Sequence, residues 1–167
     1  MSRQKVNYQE GDWFALPLDG GGYALGLIAR MRTRPRSIGL FGYFFGPRHS
    51  NVPTLADAAR LRSTDAIERL IFGDLDLLNH EWPVLGALPD WNRAKWPLPG
   101  FAYKDVISGQ PYIRTYDEDS LKFVSERRVR EEDLVGLPPD GLYGAGAVVS
   151  RISRLIQEEA AQSDARA

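Results

Sequence analysis

Apolar residues in the first third of the chain fall into three short runs separated by turn-forming residues. Residues 12–18 read DWFALPL, residues 23–31 read YALGLIARM, and residues 37–46 read SIGLFGYFFG. The glycines at 20–22 can adopt the positive φ angles of a tight turn, so the first two runs are predicted to form a β-hairpin. The third run is dense in Phe and Tyr and is predicted to be the next strand.

Two further patterns occur in the second half of the chain. Tyr112–Tyr116 and Leu121–Ser125 are predicted to be the strands of another hairpin, joined by the acidic turn Asp117–Asp119. Apolar residues then recur at helical spacing at Val148, Ile152, Leu155 and Ile156. This spacing predicts an amphipathic C-terminal helix that packs on the sheet.

The middle of the chain leaves more than one possibility open. Ile67, Leu70 and Ile71 fit either a helix or a strand that ends at Gly73, so residues 65–73 stay undecided between the two. Residues 82–101 are too rich in proline for a continuous helix or a central strand. They predict a short strand at 84–88 followed by an ordered loop.

Together these elements predict an α+β fold. Its main part is a mostly antiparallel, twisted sheet that curls into a partly open small barrel, with the C-terminal amphipathic helix packed on it. The length favours one domain, which we place at residues 1–162. Residues 163–167 are predicted to be a frayed C-terminal tail.

Charge and composition narrow the range of partners. The chain has 21 basic and 22 acidic residues and a net charge of −1, whereas dedicated nucleic-acid binders usually carry a basic excess. Arg30, Arg32, Arg34 and Arg36 could line a ridge for phosphates, but Pro35 interrupts the strand, so we predict a solvated hairpin tip. The chain has no cysteine and no apolar stretch of membrane length, which predicts a cytoplasmic protein that contacts no membrane.

The sequence contains no motif of a catalytic or metal site. The two histidines, His49 and His80, each lack a second ligand at metal-binding spacing, and no serine lies in a Gly-x-Ser-x-Gly elbow. We therefore expect no catalytic residues, no metal and no cofactor, and a protein that is not an enzyme.

The most unusual feature is a group of tryptophans and carboxylates in one proline-rich part of the chain. One interpretation is that the tryptophans cap one end of the core. The other is that they form a stiff aromatic surface, rimmed by carboxylates, that binds a protein partner. The candidate partner-binding residues are Asp74, Asp76, Glu81, Trp82, Asp90, Trp91 and Trp96.

Several of these stretches, taken in order, resemble one family. Residues 8–29 (YQEGDWFALPLDGGGYALGLIA), 39–45 (GLFGYFF), 71–86 (IFGDLDLLNHEWPVLG) and 136–148 (GLPPDGLYGAGAV) are similar to the immunity protein 26 family of bacterial polymorphic toxin systems. The resemblance implies a small cytoplasmic β-rich protein that binds and neutralises a cognate toxin, usually encoded beside it. It brings no catalytic residues and no established toxin-contact motif.

Two alternatives remain at the level of sequence. The first is a small β-barrel protein that binds nucleic acid or the ribosome, favoured by the arginines at 30–36 and the Phe and Tyr residues near them. The second is an enzyme with an all-carboxylate site, which no motif supports. The overall acidity disfavours the nucleic-acid interpretation.

Overall fold

A computed structural model describes residues 6–32 and 39–166. Its strands are β1 (Asp12–Pro17), β2 (Tyr23–Arg30), β3 (Leu40–His49), β4 (Glu68–Phe72), β5 (Val84–Ala87), β6 (Phe101–Lys104), β7 (Pro111–Tyr116), β8 (Phe123–Arg128) and β9 (Leu142–Tyr143). The helices are the one-turn α1 (Leu55–Ala58) and α2 (Leu75–Leu78) and the long α3 (Ala145–Arg166). Short 3₁₀ turns lie at Ser63–Asp65, Arg93–Lys95 and Glu131–Leu134.

Six strands form the main sheet, in the order β5-β1-β2-β3-β4-β9. Every pair in it is antiparallel except β4 with β9, which is parallel. The predicted hairpin of β1 and β2 is present, with Trp13 opposite Leu27, and its turn contains Gly20, Gly21 and Gly22 at φ angles of 81°, 98° and 78°. These angles explain why the turn is built from glycine.

Side chains alternate between the two faces of this sheet, so each face has its own apolar core. The first face carries Phe14, Leu16, Ile28, Phe44 and Phe72. The second face carries Trp13, Leu25, Leu27, Phe41 and Tyr43. Burial on both faces explains why the strands read as nearly continuous apolar runs.

Helix α3 covers the first face, as the apolar spacing predicted. Val148, Ile152 and Ile156 are buried against the sheet, and Leu155 packs partly buried beside them. The helix continues to Arg166, and the frayed tail at residues 163–167 stays a prediction. All residues from 157 to 166 are exposed, which is why the apolar pattern could not show that the helix continues.

A second, three-stranded sheet in the order β6-β7-β8 helps to cover the second face, where Phe101 of β6 joins the core. The fold is therefore α+β with mostly antiparallel sheets and a C-terminal helix. The two sheets do not close on each other, so the partly open barrel is not confirmed.

The segment 65–73, which the sequence left undecided, forms a strand over most of its length, and a short helix follows it. Residues 68–72 form β4 and pair with β3, while residues 75–78 form the one-turn helix α2. Sequence periodicity could not separate the two because each element is at most five residues long. The short strands β6 and β9 were missed for the same reason.

The prediction of a solvated arginine tip is wrong for Arg30. Its side chain is only 2% exposed, Nη1 donates to the Ala29 carbonyl at 2.6 Å, and Nη2 lies 3.4 Å from Oε2 of Glu118. Strand β2 extends through Arg30, and the 117–121 turn folds over it, so this guanidinium cannot face phosphates. Arg32 is half-buried, and Arg34 and Arg36 lie outside the described residues.

Candidate functional site

A pocket of about 480 Å³ opens on the second face of the main sheet; we call it the tryptophan pocket. Three pieces of chain line it: the start of β1, the segment 59–63 after α1, and the segment 88–96 after β5. Trp13 and Trp96 are buried at its base, and the half-buried Trp91 forms a wall. Trp91 therefore offers most of the accessible tryptophan surface of the pocket, while Trp13 and Trp96 are almost fully buried.

The Trp91 ring packs directly against the backbone of Gly11, which has no side chain in the way. The Gly11 amide donates to the Ile28 carbonyl at 2.8 Å, and its φ is 93°, a conformation that L side chains rarely adopt. A Cβ at this position would lie 2.9 Å from Cγ and Cδ2 of Trp91. Any other residue would thus strain the backbone and push the tryptophan aside.

Trp96 is fixed by edge-to-face contacts with the sheet. Its ring centroid lies 5.8 Å from that of Trp13 and 5.2 Å from that of Tyr43, in T-shaped geometry. The Tyr43 hydroxyl donates to the Pro97 carbonyl, which ties the segment beside Trp96 to β3. Burial raises the pKa of Tyr43 to about 12, against the opposing effect of Arg69 and Arg30, so this hydroxyl stays a donor at neutral pH.

The charged groups around the pocket are mostly cationic. Arg60, Arg62 and Lys95 are exposed on its rim, while Asp90 is the carboxylate among the lining residues. Arg62 is partly neutralised because its Nε lies 3.6 Å from Oδ2 of Asp65. The pocket thus joins an apolar aromatic base to a rim that favours negative charge.

Arg93 links the segment 88–96 to the rest of the protein. Its Nε lies 2.8 Å from Oε1 of Glu10, its Nη1 lies 2.8 Å from Oδ1 of Asp119, and its Nη2 donates to the Glu118 carbonyl at 2.8 Å. Asn92 accepts a hydrogen bond from the Ala94 amide at 3.0 Å and starts the 3₁₀ turn. These contacts order the segment between Trp91 and Trp96 and connect it to the turn before β8.

Three of the seven residues proposed from the sequence, Asp90, Trp91 and Trp96, lie at this pocket. Trp82 does not: it is 1% exposed and stacks on Phe14 on the opposite face of the sheet, at 5.7 Å between centroids and 6° between planes. Edge strand β5 lies between Trp82 and the pocket in the chain. Residues before β5 pack on the first face of the sheet, and residues after β5 pack on the second face. Trp82 therefore offers no contact area to a partner.

The remaining carboxylates lie away from the pocket as well. Asp74 accepts a hydrogen bond from the Tyr8 hydroxyl; burial and this bond raise the pKa of Tyr8, while the positive charge of Arg32 opposes the rise. Asp76 follows Asp74 at the start of α2, and Glu81 is exposed beside Trp82. The seven residues therefore do not line one pocket: Asp90, Trp91 and Trp96 lie at the tryptophan pocket, and Trp82 is buried on the other face of the sheet.

Sequence reasoning missed the residues that give the pocket its shape and charge. Arg60, Arg62 and Lys95 belong to segments distant in the sequence, and no pattern indicated that they would meet. Gly11 did carry a signal, because the Gly-Asp pair before the first strand was among the motifs of the family resemblance. A glycine at that place indicates a positive φ or a close neighbour, and here it has both.

In residues 6–32 and 39–166, no group of three or more His, Asp or Glu side chains is arranged to hold a metal ion. Within the same ranges, no helix combines the length and the apolar character needed to cross a bilayer.

Comparison with known families identifies the chain. A family model described as Immunity protein 26 matches residues 9–112, which is more than half of the sequence. The chain belongs to the Immunity protein 26 family. The match contains every residue that lines the tryptophan pocket and ends within β7, so β8 and α3 of this immunity protein lie outside it. No curated protein and no solved structure matches the chain significantly.

Proposed function

We propose that this immunity protein binds a cognate toxin protein, encoded by a neighbouring gene, and blocks the toxin by forming a stoichiometric complex without catalysis. Membership of the Immunity protein 26 family is the observation that carries the proposal. A binder needs a rigid surface with a few strong anchor points rather than a reactive group. The tryptophan pocket meets this requirement.

The toxin-contact surface is centred on the tryptophan pocket. Trp91 is half-buried, so it keeps contact area for a partner while Gly11 and the sheet hold its ring in place. Tryptophans in such positions dominate binding energy at protein interfaces. Because Arg93 and Tyr43 already order the segment, little freedom remains to be lost when the toxin docks.

The charge of the rim specifies what the toxin presents there. The sequence suggested a partner surface rimmed by carboxylates, but Asp74, Asp76 and Glu81 do not line the pocket, which has Arg60, Arg62 and Lys95 together with Asp90. We therefore expect the toxin to insert an apolar or aromatic side chain flanked by carboxylates.

The direct test is neutralisation of the toxin domain encoded beside this gene. Co-expression should restore growth of cells that produce the toxin domain, and calorimetry should show one-to-one binding. Absence of both would contradict the proposed function.

Charge variants test the pocket separately. The exposed pair Arg60→Glu and Arg62→Glu should weaken toxin binding at least tenfold, whereas Asp90→Asn should leave it equal or tighter. If the complex forms but neither change alters its affinity, the toxin binds at another surface.

A further inference from the structure

The three-stranded sheet has two edges that differ in their surroundings. At the β6 edge, the Ala102 amide donates to the Pro138 carbonyl at 2.8 Å, and the Asp140 amide donates to the Ala102 carbonyl at 2.9 Å. The segment 138–140 thus pairs with β6 and covers it. Among the described residues, no strand pairs with the other side of β8, and all six residues of β8 are exposed.

The register of β7 and β8 shows which backbone groups of β8 point outward. The Val129 amide donates to the Pro111 carbonyl at 3.1 Å, so in an antiparallel pair the next hydrogen-bonded position is Ile113 opposite Arg127. Glu126 and Arg128 lie on either side of Arg127, at positions that are not hydrogen-bonded to β7. Their backbone amides and carbonyls therefore point away from β7. These groups form an open ladder for an additional strand.

Side chains along this edge determine what it can accept. Within residues 122–130 the cations are Lys122, Arg127, Arg128 and Arg130, and the one carboxylate, Glu126, is turned toward Arg114, with Oε2 3.0 Å from Nε. At the other end, Phe123 is 54% exposed and Val124 is 60% exposed. The edge therefore combines apolar contact area with an excess of positive charge.

Clustered positive charge on an edge strand disfavours pairing with a second copy of the same strand, because like charges come close together. It has the opposite effect on an acidic segment, since each carboxylate that lands beside Arg127 or Arg128 is attracted. The same residues thus disfavour self-association and favour a partner of opposite charge.

We propose that β8 accepts an extended acidic segment of the toxin as a fourth strand of this sheet. The inference rests on the proposed function for the identity of the partner. Backbone hydrogen bonds from Glu126 and Arg128 supply binding, and the cations select acidic side chains. Arg93 joins the 117–121 turn, which leads into β8, to the segment 88–96, part of which lines the tryptophan pocket.

The first experiment uses a probe that does not depend on the toxin. An eight-residue peptide of alternating threonine and glutamate is titrated into the full chain and followed by NMR, with a threonine–lysine peptide as control. We expect saturable shifts at residues 122–130 and slower amide exchange at Glu126 and Arg128 with the acidic peptide alone. Absence of these shifts, or equal shifts with both peptides, overturns the proposal.

A matched pair of variants separates backbone pairing from side-chain attraction. Glu126→Pro removes an outward amide that has no partner in β7, and should weaken binding of the acidic peptide at least tenfold. Glu126→Ala keeps that amide and should bind at least as tightly as the parent. Arg128→Pro tests a second outward amide and is used if Glu126→Pro is too unstable to fold. A folded proline variant that binds the acidic peptide as tightly as the parent overturns the proposal.

The toxin complex supplies the last comparison. If the complex forms and neutralises, but folded Glu126→Pro binds the toxin as tightly as the parent, the strand-addition proposal is wrong while the proposed function stands. If sedimentation shows the parent chain forming a dimer that either proline variant abolishes, the edge pairs with its own copy, and the proposal is wrong as well.

Discussion

The two faces of the main sheet both carry aromatic clusters, yet they are covered in different ways. The first face is closed by α3 and by Trp82, whose ring stacks on Phe14. The second face is covered by separate pieces, namely the three-stranded sheet and the segments after α1 and β5. Helix α3 packs its buried side chains along the first face, whereas the separate segments over the second face leave a gap between them, and the tryptophan pocket is this gap.

This difference gives chemically similar residues different roles. Trp82 and Trp91 are nine positions apart in a proline-rich stretch, but the first is buried and the second is half-buried at a pocket. The protein's stability should therefore depend most on the first face, and its binding on the second. Substitutions on the two faces test this separation, from the largest expected effect to the smallest.

Trp82→Ala should have the largest effect on stability. Removing a fully buried indole leaves a cavity beside Phe14 and Phe72, and should lower the free energy of unfolding by about 4 kcal/mol. Urea unfolding followed by circular dichroism measures the change. A loss below about 1 kcal/mol would show that the first face does not depend on this residue.

Gly11→Ala should have an intermediate effect, because it strains the backbone and displaces Trp91. The left-handed backbone alone costs about 1–2 kcal/mol for an L residue, and the contact with the ring adds to it. The same substitution in a Trp91→Ala background should lose the ring contribution, so the two effects should not add. Additive effects would mean that Gly11 does not position Trp91.

Tyr43→Phe should have a smaller effect that depends on pH. Loss of the hydrogen bond to the Pro97 carbonyl should cost about 1 kcal/mol at neutral pH. The pKa of Tyr43 is raised to about 12 in the fold, so the native state holds this proton more tightly than the unfolded chain, whose tyrosine pKa is about 10. The stability from this group is complete below pH 10 and is lost as the pH rises toward 12.

Urea unfolding at pH 9 and pH 11 measures the Tyr43 effect. The parent should lose more stability between these two values than Tyr43→Phe does. An equal loss in both proteins would contradict the burial of this hydroxyl.

Local patterns predicted much of the fold. The glycine turn, the first strands, the 111–128 hairpin and the helix through Val148 and Ile152 each have a signal contained in about ten residues. The buried state of Arg30 had no such signal, because it depends on Glu118 in a turn far along the chain. Likewise β6 is four residues long and pairs with β7 across a loop.

The candidate site was predicted only in part, and the reason is geometrical. Sequence proximity grouped Trp82 with Trp91 and Trp96, but the edge strand β5 carries the chain from one face of the sheet to the other. The cations Arg60 and Arg62 join the pocket from a different segment altogether. The pocket is formed by three segments that are distant in the sequence, so no sequence pattern within one segment can indicate it.

The measurement that tests the central claim most directly compares Trp91→Ala with the parent for both melting temperature and toxin affinity. A half-buried tryptophan on the second face should contribute about 1 kcal/mol to stability, a shift of about 2–4 °C for a chain of this size. Its removal should nevertheless cost about 2 kcal/mol of binding, which is about thirtyfold in the dissociation constant. A variant that melts close to the parent and loses this affinity is the predicted result. Unchanged affinity, or a loss that only follows unfolding, would contradict the assignment of the tryptophan pocket as the binding surface.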